Sequence, residues 1–156
     1  MRTNGLIAVL CFFLAATLAA QAGVDLSGTW KLQRSISEPS TASADVVLVI
    51  TQTAEQLVVE RRVGDQRLTS TIFLDGRPST SEAAAGLLQT TRARWEGACF
   101  VVEGSRTLRD GGTAAVKEVF ELTANREGLT IERTIHTGTT EFKSREVFAR
   151  TPRSEI

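Results

Sequence analysis

The chain has 156 residues, 18 basic and 18 acidic side chains, a formal net charge of +0 and two cysteines. So even a balance does not favour nucleic acid or an anionic membrane surface, both of which require a basic patch. The length suits one domain with one core.

Arg2 opens a leader whose apolar run, Leu6 to Ala19, contains Leu10, Phe12, Phe13 and Leu14. Ala20-Gln21-Ala22 then offers small residues at the two positions a signal peptidase reads. The run is shorter than the ~20 residues of a spanning helix, so cleavage after Ala22 is expected, with no stable membrane anchor afterwards. A lipid anchor would need a small residue before Cys11, where Leu10 stands. The expected division is a signal peptide over 1–22, a barrel domain over 23–150 and a polar tail over 151–156. Localisation is expected to be exported, periplasmic or extracellular. Cys99 is then alone, an internal disulfide is impossible, and the thiol is expected to be a small buried apolar group.

The exported part opens on a strand, Ser27 to Arg34, with Trp30 and Leu32 in one phase. Ser35 to Ala44, with Glu38-Pro39, reads as a loop. Strands follow at Asp45–Thr53, Gln56–Val63 and Arg67–Leu74, with turns at Gly64-Asp65 and at Asp75-Gly76 before Pro78. Ser79 and Glu82 have capping-box spacing before Ala83-Ala84-Ala85, so a short helix is expected over Ser79–Leu88, ended by Gly86. Strands resume at Leu88–Trp95 and Ala98–Arg109 around Glu96-Gly97. Asp110-Gly111-Gly112 is a hairpin signal, and Ala114–Thr123, Leu129–Thr137 and Thr139–Arg150 complete the series. Short turn-rich links and no long crossover imply an antiparallel meander. Its edges are best hidden by closure, so the expected fold is all-β, an up-and-down barrel of about eight or nine strands. An open sandwich is the rival.

Alternation assigns side chains to faces. Leu57, Val59, Arg61 and Val63 share one face, and Leu129, Ile131, Arg133 and Ile135 share another, in segments that echo each other. If these faces line a cavity, Arg61 and Arg133 are cations on apolar walls, with Val59, Ile72, Phe120 and Ile131 around them. A buried guanidinium needs a counter-charge, carbonyls, water or an acidic ligand head group that it can grip bidentately. The alternative is that both reach water at the barrel mouths or pair with internal acids. Trp95 is expected inside, sharing its face with Ala93, with Arg92 and Arg94 in solvent. The strand from Ala98 is expected to be buried on both faces for part of its length.

No catalytic or metal-binding residue can be nominated. His136 is the one histidine and shares its face with Thr130, Glu132 and Thr134, which reads as exposed. The acids are scattered, and no Gly-rich phosphate loop opens a long helix. No cofactor is expected.

Ser27-Gly28-Thr29-Trp30 near the start of a short all-β chain, with Phe148-Ala149-Arg150 at its end, resembles the lipocalin and calycin superfamily. Leu74-Asp75-Gly76, Ala93-Arg94-Trp95-Glu96-Gly97 and Leu129-Thr130-Ile131-Glu132-Arg133 extend the likeness to small exported bacterial lipocalin-like proteins. The resemblance implies a barrel closed at one end by Trp30 beneath Arg150, with Arg145 as the fallback partner. It also implies a small apolar or amphiphilic ligand in the cavity, bound without catalysis. The link after the first strand is too short for the two-helix lid of the fatty-acid-binding branch, which leaves Gly76 to Leu87 as the lid candidate. The alternative function is a filled barrel that serves as a protein-interaction module, its partner unknown; an enzyme on the same scaffold is the third.

Overall fold

The structure is a computed structural model and describes residues 24–38 and 45–152. The expected signal peptide, its cleavage site and the last four residues of the expected tail lie outside the described residues.

Ten strands form one antiparallel sheet: β1 Gly28–Glu38, β2 Val46–Gln52, β3 Gln56–Val63, β4 Gln66–Phe73, β5 Ser79–Ala84, β6 Leu87–Glu96, β7 Cys99–Thr107, β8 Thr113–Leu122, β9 Gly128–Thr137 and β10 Thr140–Arg150. Their order in the sheet is β4-β3-β2-β1-β10-β9-β8-β7-β6-β5. First and last strands are therefore partners, with Trp30 opposite Arg150, and the sheet curls into a nearly closed barrel rather than an open sandwich. The two terminal strands of the sheet, β4 and β5, come alongside each other but share no hydrogen-bonded ladder.

Two expectations need correction. The segment Ser35–Ala44 is not loop throughout: Ser35 to Glu38 continue β1 and pair with Lys143 to Glu146 of β10, past a bulge between Leu32 and Arg34. The backbone ladder outweighs the Ser-rich composition. Nor is Ser79–Leu88 a helix. It is the β5–β6 hairpin, with Ser79 opposite Thr91 and a turn in which Gly86 has φ 74°. The Glu82 carboxylate, expected to cap a helix, instead accepts from the Gly86 backbone N–H at 2.5 Å. Pairing with β6 satisfies more backbone groups than two helical turns could, and that extra strand raises the count to ten.

One end of the barrel is filled with apolar side chains. Leu26, Trp30, Leu48, Leu57, Phe100, Leu129 and Phe148 are buried there, each contributing roughly 1.5–3 kcal/mol or more on burial. Trp95 packs on Phe100 with centroids 4.9 Å apart, and Phe100 meets Phe120 edge-on at 6.0 Å. Arg92 and Arg94 are exposed outside, and Phe100, Val101 and Val102 are buried in succession, so β7 is covered on both faces there. Cys99 is half-buried at the start of β7; burial, then the charge of Glu121, pushes its thiol pKa up.

Arg150 seals this end. Its guanidinium carbon lies 4.1 Å from the Trp30 ring centroid, and Nη1 and Nε donate to the Ser27 and Arg126 carbonyls at 2.8 and 3.0 Å. The indole N–H donates to the Leu26 carbonyl at 3.1 Å. Gly28 explains the spacing of the opening motif: its φ is 152°, and a Cβ there would sit 2.3 Å from Arg150 Nη1. Arg145, the fallback partner, lies on β10 opposite Ile36 and pairs with Glu132.

Candidate functional site

Above the apolar plug, the interior carries a charged layer. Arg61 from β3 reaches across to Glu146 on β10 in a two-pronged ion pair of 3.0 and 2.5 Å. Arg133 on β9 donates to Glu118, its neighbour on β8, at 2.5 Å, and lies 3.9 Å from Glu146. Arg106 on β7 donates through Nε and Nη2 to the side-chain oxygen of Gln89, its neighbour on β6, at 2.9 and 2.7 Å. Three arginines thus meet two carboxylates.

The electrostatics separate the three cations. Burial pushes the Glu146 carboxyl up, but the hydrogen bond and charge of Arg61, with the charge of Arg133, outweigh it and hold the group below its ordinary value. The charge of Glu118 raises Arg133 against burial, with Glu146 assisting. Arg106 goes the other way: burial, then the charge of Arg133, lowers it, and Glu118 offsets this only in part. No carboxylate forms an ion pair with Arg106 among the described residues. Its Nε and Nη2 donate to a neutral amide, and the charge of Glu118 balances it only in part.

This layer borders a cavity with about 90 Å³ of free volume, lined by Val59, Ile72, Phe120, Ile131, Leu48 and Val102 together with Arg61, Arg106, Arg133, Glu118 and Gln89. All six ligand-site candidates from the sequence (Arg61, Arg133, Val59, Ile72, Phe120 and Ile131) face this space. Arg61 and Arg133, however, already have internal acid partners. Arg106 was missed, and so were Glu118 and Glu146. Each was legible by alternation: Arg106 is in phase with Phe100 and Val102, Glu118 with Val116 and Phe120, and Glu146 with Phe148.

Outside the barrel, His136 is exposed on β9, its Nε2 3.2 Å from Glu141. Arg94, Glu96, Glu103 and Lys117 form an exposed charge ladder across β6, β7 and β8. Such solvated pairs contribute little to stability.

No family model matches the chain. No curated protein is similar to it in sequence either. Solved structures share its fold. A fatty acid transporter designated REP1-NXSQ superposes with a TM-score of 0.64 at 9% identity, over 83% of this chain and 98% of that one. The apo lipid binding protein 8 of Caenorhabditis elegans gives 0.61 at 13% identity, over 80% and 94%. The zebrafish ileal bile acid-binding protein complexed with cholic acid gives 0.60 at 12% identity, over 80% and 98%. At these identities the likeness concerns the barrel itself.

Proposed function

We propose that the chain is a non-catalytic binding protein for a small amphiphile with an anionic head group. The head group pairs with Arg106, and the apolar body lies among Val59, Ile72, Phe120 and Ile131. The observation that carries this reading is the Arg106 guanidinium, held by a neutral amide and in contact with no carboxylate, beside an apolar wall. A partly desolvated cation next to a second cation is costly, and an anion supplied from outside offsets that cost. Arg61 and Arg133, with Glu146 and Glu118, form the polar frame around it. Fatty acid and cholic acid, named with two of the proteins that share the fold, are acids with apolar bodies. The expected leader supports an exported location; a mature N-terminus at Gly23 in protein recovered outside the cytoplasm tests that part.

The test of binding is saturable 1:1 uptake of decanoate, followed by displacement of an anionic fluorescent amphiphile. Wild type is expected to prefer decanoate to decanol by at least about tenfold, and Arg106→Met to lose that preference. Absence of saturable binding by wild type overturns the reading.

One observation favours a second reading. About 90 Å³ is well below the roughly 300–1,000 Å³ of pockets that enclose drug-sized ligands. A barrel this full fits a protein-interaction module that holds no small molecule. Wild type that binds no amphiphile, yet carries a protein partner when purified from its own compartment, would favour it.

A further inference from the structure

We infer that the ligand carries a hydroxyl group on its apolar body, close behind the anionic head, and so is a hydroxylated acyl acid rather than a plain one. The inference rests on the proposed binding role for there being a ligand, and on the chemistry of one wall for what that ligand carries.

The cavity has two unlike walls. Val59, Val102, Phe120 and Ile131 present hydrocarbon to it from β3, β7, β8 and β9. The inward positions of the β5–β6 hairpin are polar instead: Ser79 stands opposite Thr91, and Ser81 opposite Gln89. Ser81, Gln89 and Thr91 border the free space, and Ser70 of β4 adds a further hydroxyl. A strand face that served only to fill a barrel would carry apolar residues at these positions.

These groups are not spent on holding the fold. Thr91 and Gln89 are only 4% and 8% exposed. Ser79 donates to the Thr91 carbonyl at 3.5 Å, but the side-chain hydroxyls of Ser70, Ser81 and Thr91 have no hydrogen-bond partner among the described residues. Gln89 is committed on one side alone. Arginine can only donate, so the amide oxygen faces Arg106, and the amide nitrogen turns away without an acceptor among the described residues. No fully enclosed side-chain nitrogen or oxygen among those residues lacks a partner, so these groups open onto the cavity rather than being shut in the wall.

A plain hydrocarbon chain laid along this wall displaces water and leaves the hydroxyls unmet, which costs affinity. A hydroxyl on the chain supplies both a donor and an acceptor. Its position follows from the strand. Thr91 lies two residues beyond Gln89, about 7 Å further along β6 towards Ala93 and Trp95 at the apolar plug. With the head group at Arg106, the hydroxyl therefore falls within the first few carbons. A free volume of about 90 Å³ leaves no room for a rigid ring system, which narrows the body to a flexible chain.

The experiment is calorimetric titration of the wild-type protein with decanoate, 3-hydroxydecanoate and 5-hydroxydecanoate. At least one hydroxy acid is expected to bind at least about tenfold more tightly than decanoate. Thr91→Val keeps the shape and removes the hydroxyl; it is expected to bring that ratio within about threefold, and Thr91→Ser to restore it. Ser81→Ala is the second variant, should Thr91→Val fail to fold, and is expected to lower the ratio at least about threefold. Wild type that binds decanoate as tightly as both hydroxy acids overturns the inference and leaves the binding reading intact, the hydroxyls then serving ordered water only. A ratio unchanged in both Thr91→Val and Ser81→Ala overturns the assignment to this wall. Wild type that binds none of the three acids overturns the binding reading, and the inference with it.

Discussion

The two ends of the barrel solve the problem of an enclosed interior in opposite ways. Around Trp30 the space is filled: aromatic and aliphatic groups interlock, and the one cation, Arg150, lies flat on the indole with two carbonyl acceptors. Around Arg106 the interior is polar and leaves room, with Arg61 and Arg133 paired to Glu146 and Glu118 and Arg106 in contact with no carboxylate. The filled end holds the fold, and the charged end spends some of that stability on burying three guanidinium groups. The difference shows that one strand set can support both roles, because alternation sets what each level of the barrel receives.

Trp30→Ala is the largest test of this division. It removes a fully buried indole and the platform under Arg150, and a loss of about 3–5 kcal/mol is expected in urea unfolding. A loss below about 1 kcal/mol would falsify the assignment of that end as the stabilising one.

In the charged layer, Glu146→Gln leaves Arg61 without its counter-charge. We expect a loss of about 2–4 kcal/mol, discounted because Arg61 is a quarter exposed. The same substitution sharpens the comparison through pH. Glu146 is held below its ordinary value in the folded chain, so its contribution is complete above the unfolded glutamate pKa of about 4.3 and is lost as pH falls through the lower folded value. Wild-type stability should therefore decline on acidification below about pH 5, and Glu146→Gln should flatten part of that decline. An identical pH slope in both proteins removes Glu146 from the account.

Gly28→Ala probes the seal with a single methyl group. The clash with Arg150 Nη1 and the φ of 152° are expected to cost about 1–3 kcal/mol, read as a lower urea midpoint at unchanged m-value. A neutral result means that Arg150 can leave the indole freely.

Arg106→Met should do least to stability and most to binding. It removes a partly desolvated cation without breaking a carboxylate's ion pair, at the expense of two hydrogen bonds to Gln89. A change within about 1 kcal/mol in either direction is expected in the melt. If the substitution destabilises as strongly as Glu146→Gln, Arg106 belongs to the structural frame, and the anion site must be sought elsewhere.

Much of this was readable along the chain. The family resemblance carried by Gly28, Trp30 and Arg150 implied a closure between the ends, in keeping with a meander of strands that hides its edges by joining first to last. Period-two alternation put Arg61 on one face with Val59, and Arg133 on one face with Ile131, but left open whether those faces turn inward; the same rule applied to β7, β8 and β10 reaches Arg106, Glu118 and Glu146. The segment Ser79–Ala84 was misread because capping-box spacing is a local signal. Whether Glu82 caps a helix or closes a hairpin turn depends on β6 being near enough to pair.

The sequence by itself determined the alternation and most of the turns, since these depend on neighbours a few positions away. Tertiary structure alone decided which charges meet. Arg61 and Glu146 are 85 residues apart and sit on strands that are not neighbours, so only the curvature of the sheet brings them together. It also decided where the ladder stops, because closure of a twisted sheet is set by all ten strands at once.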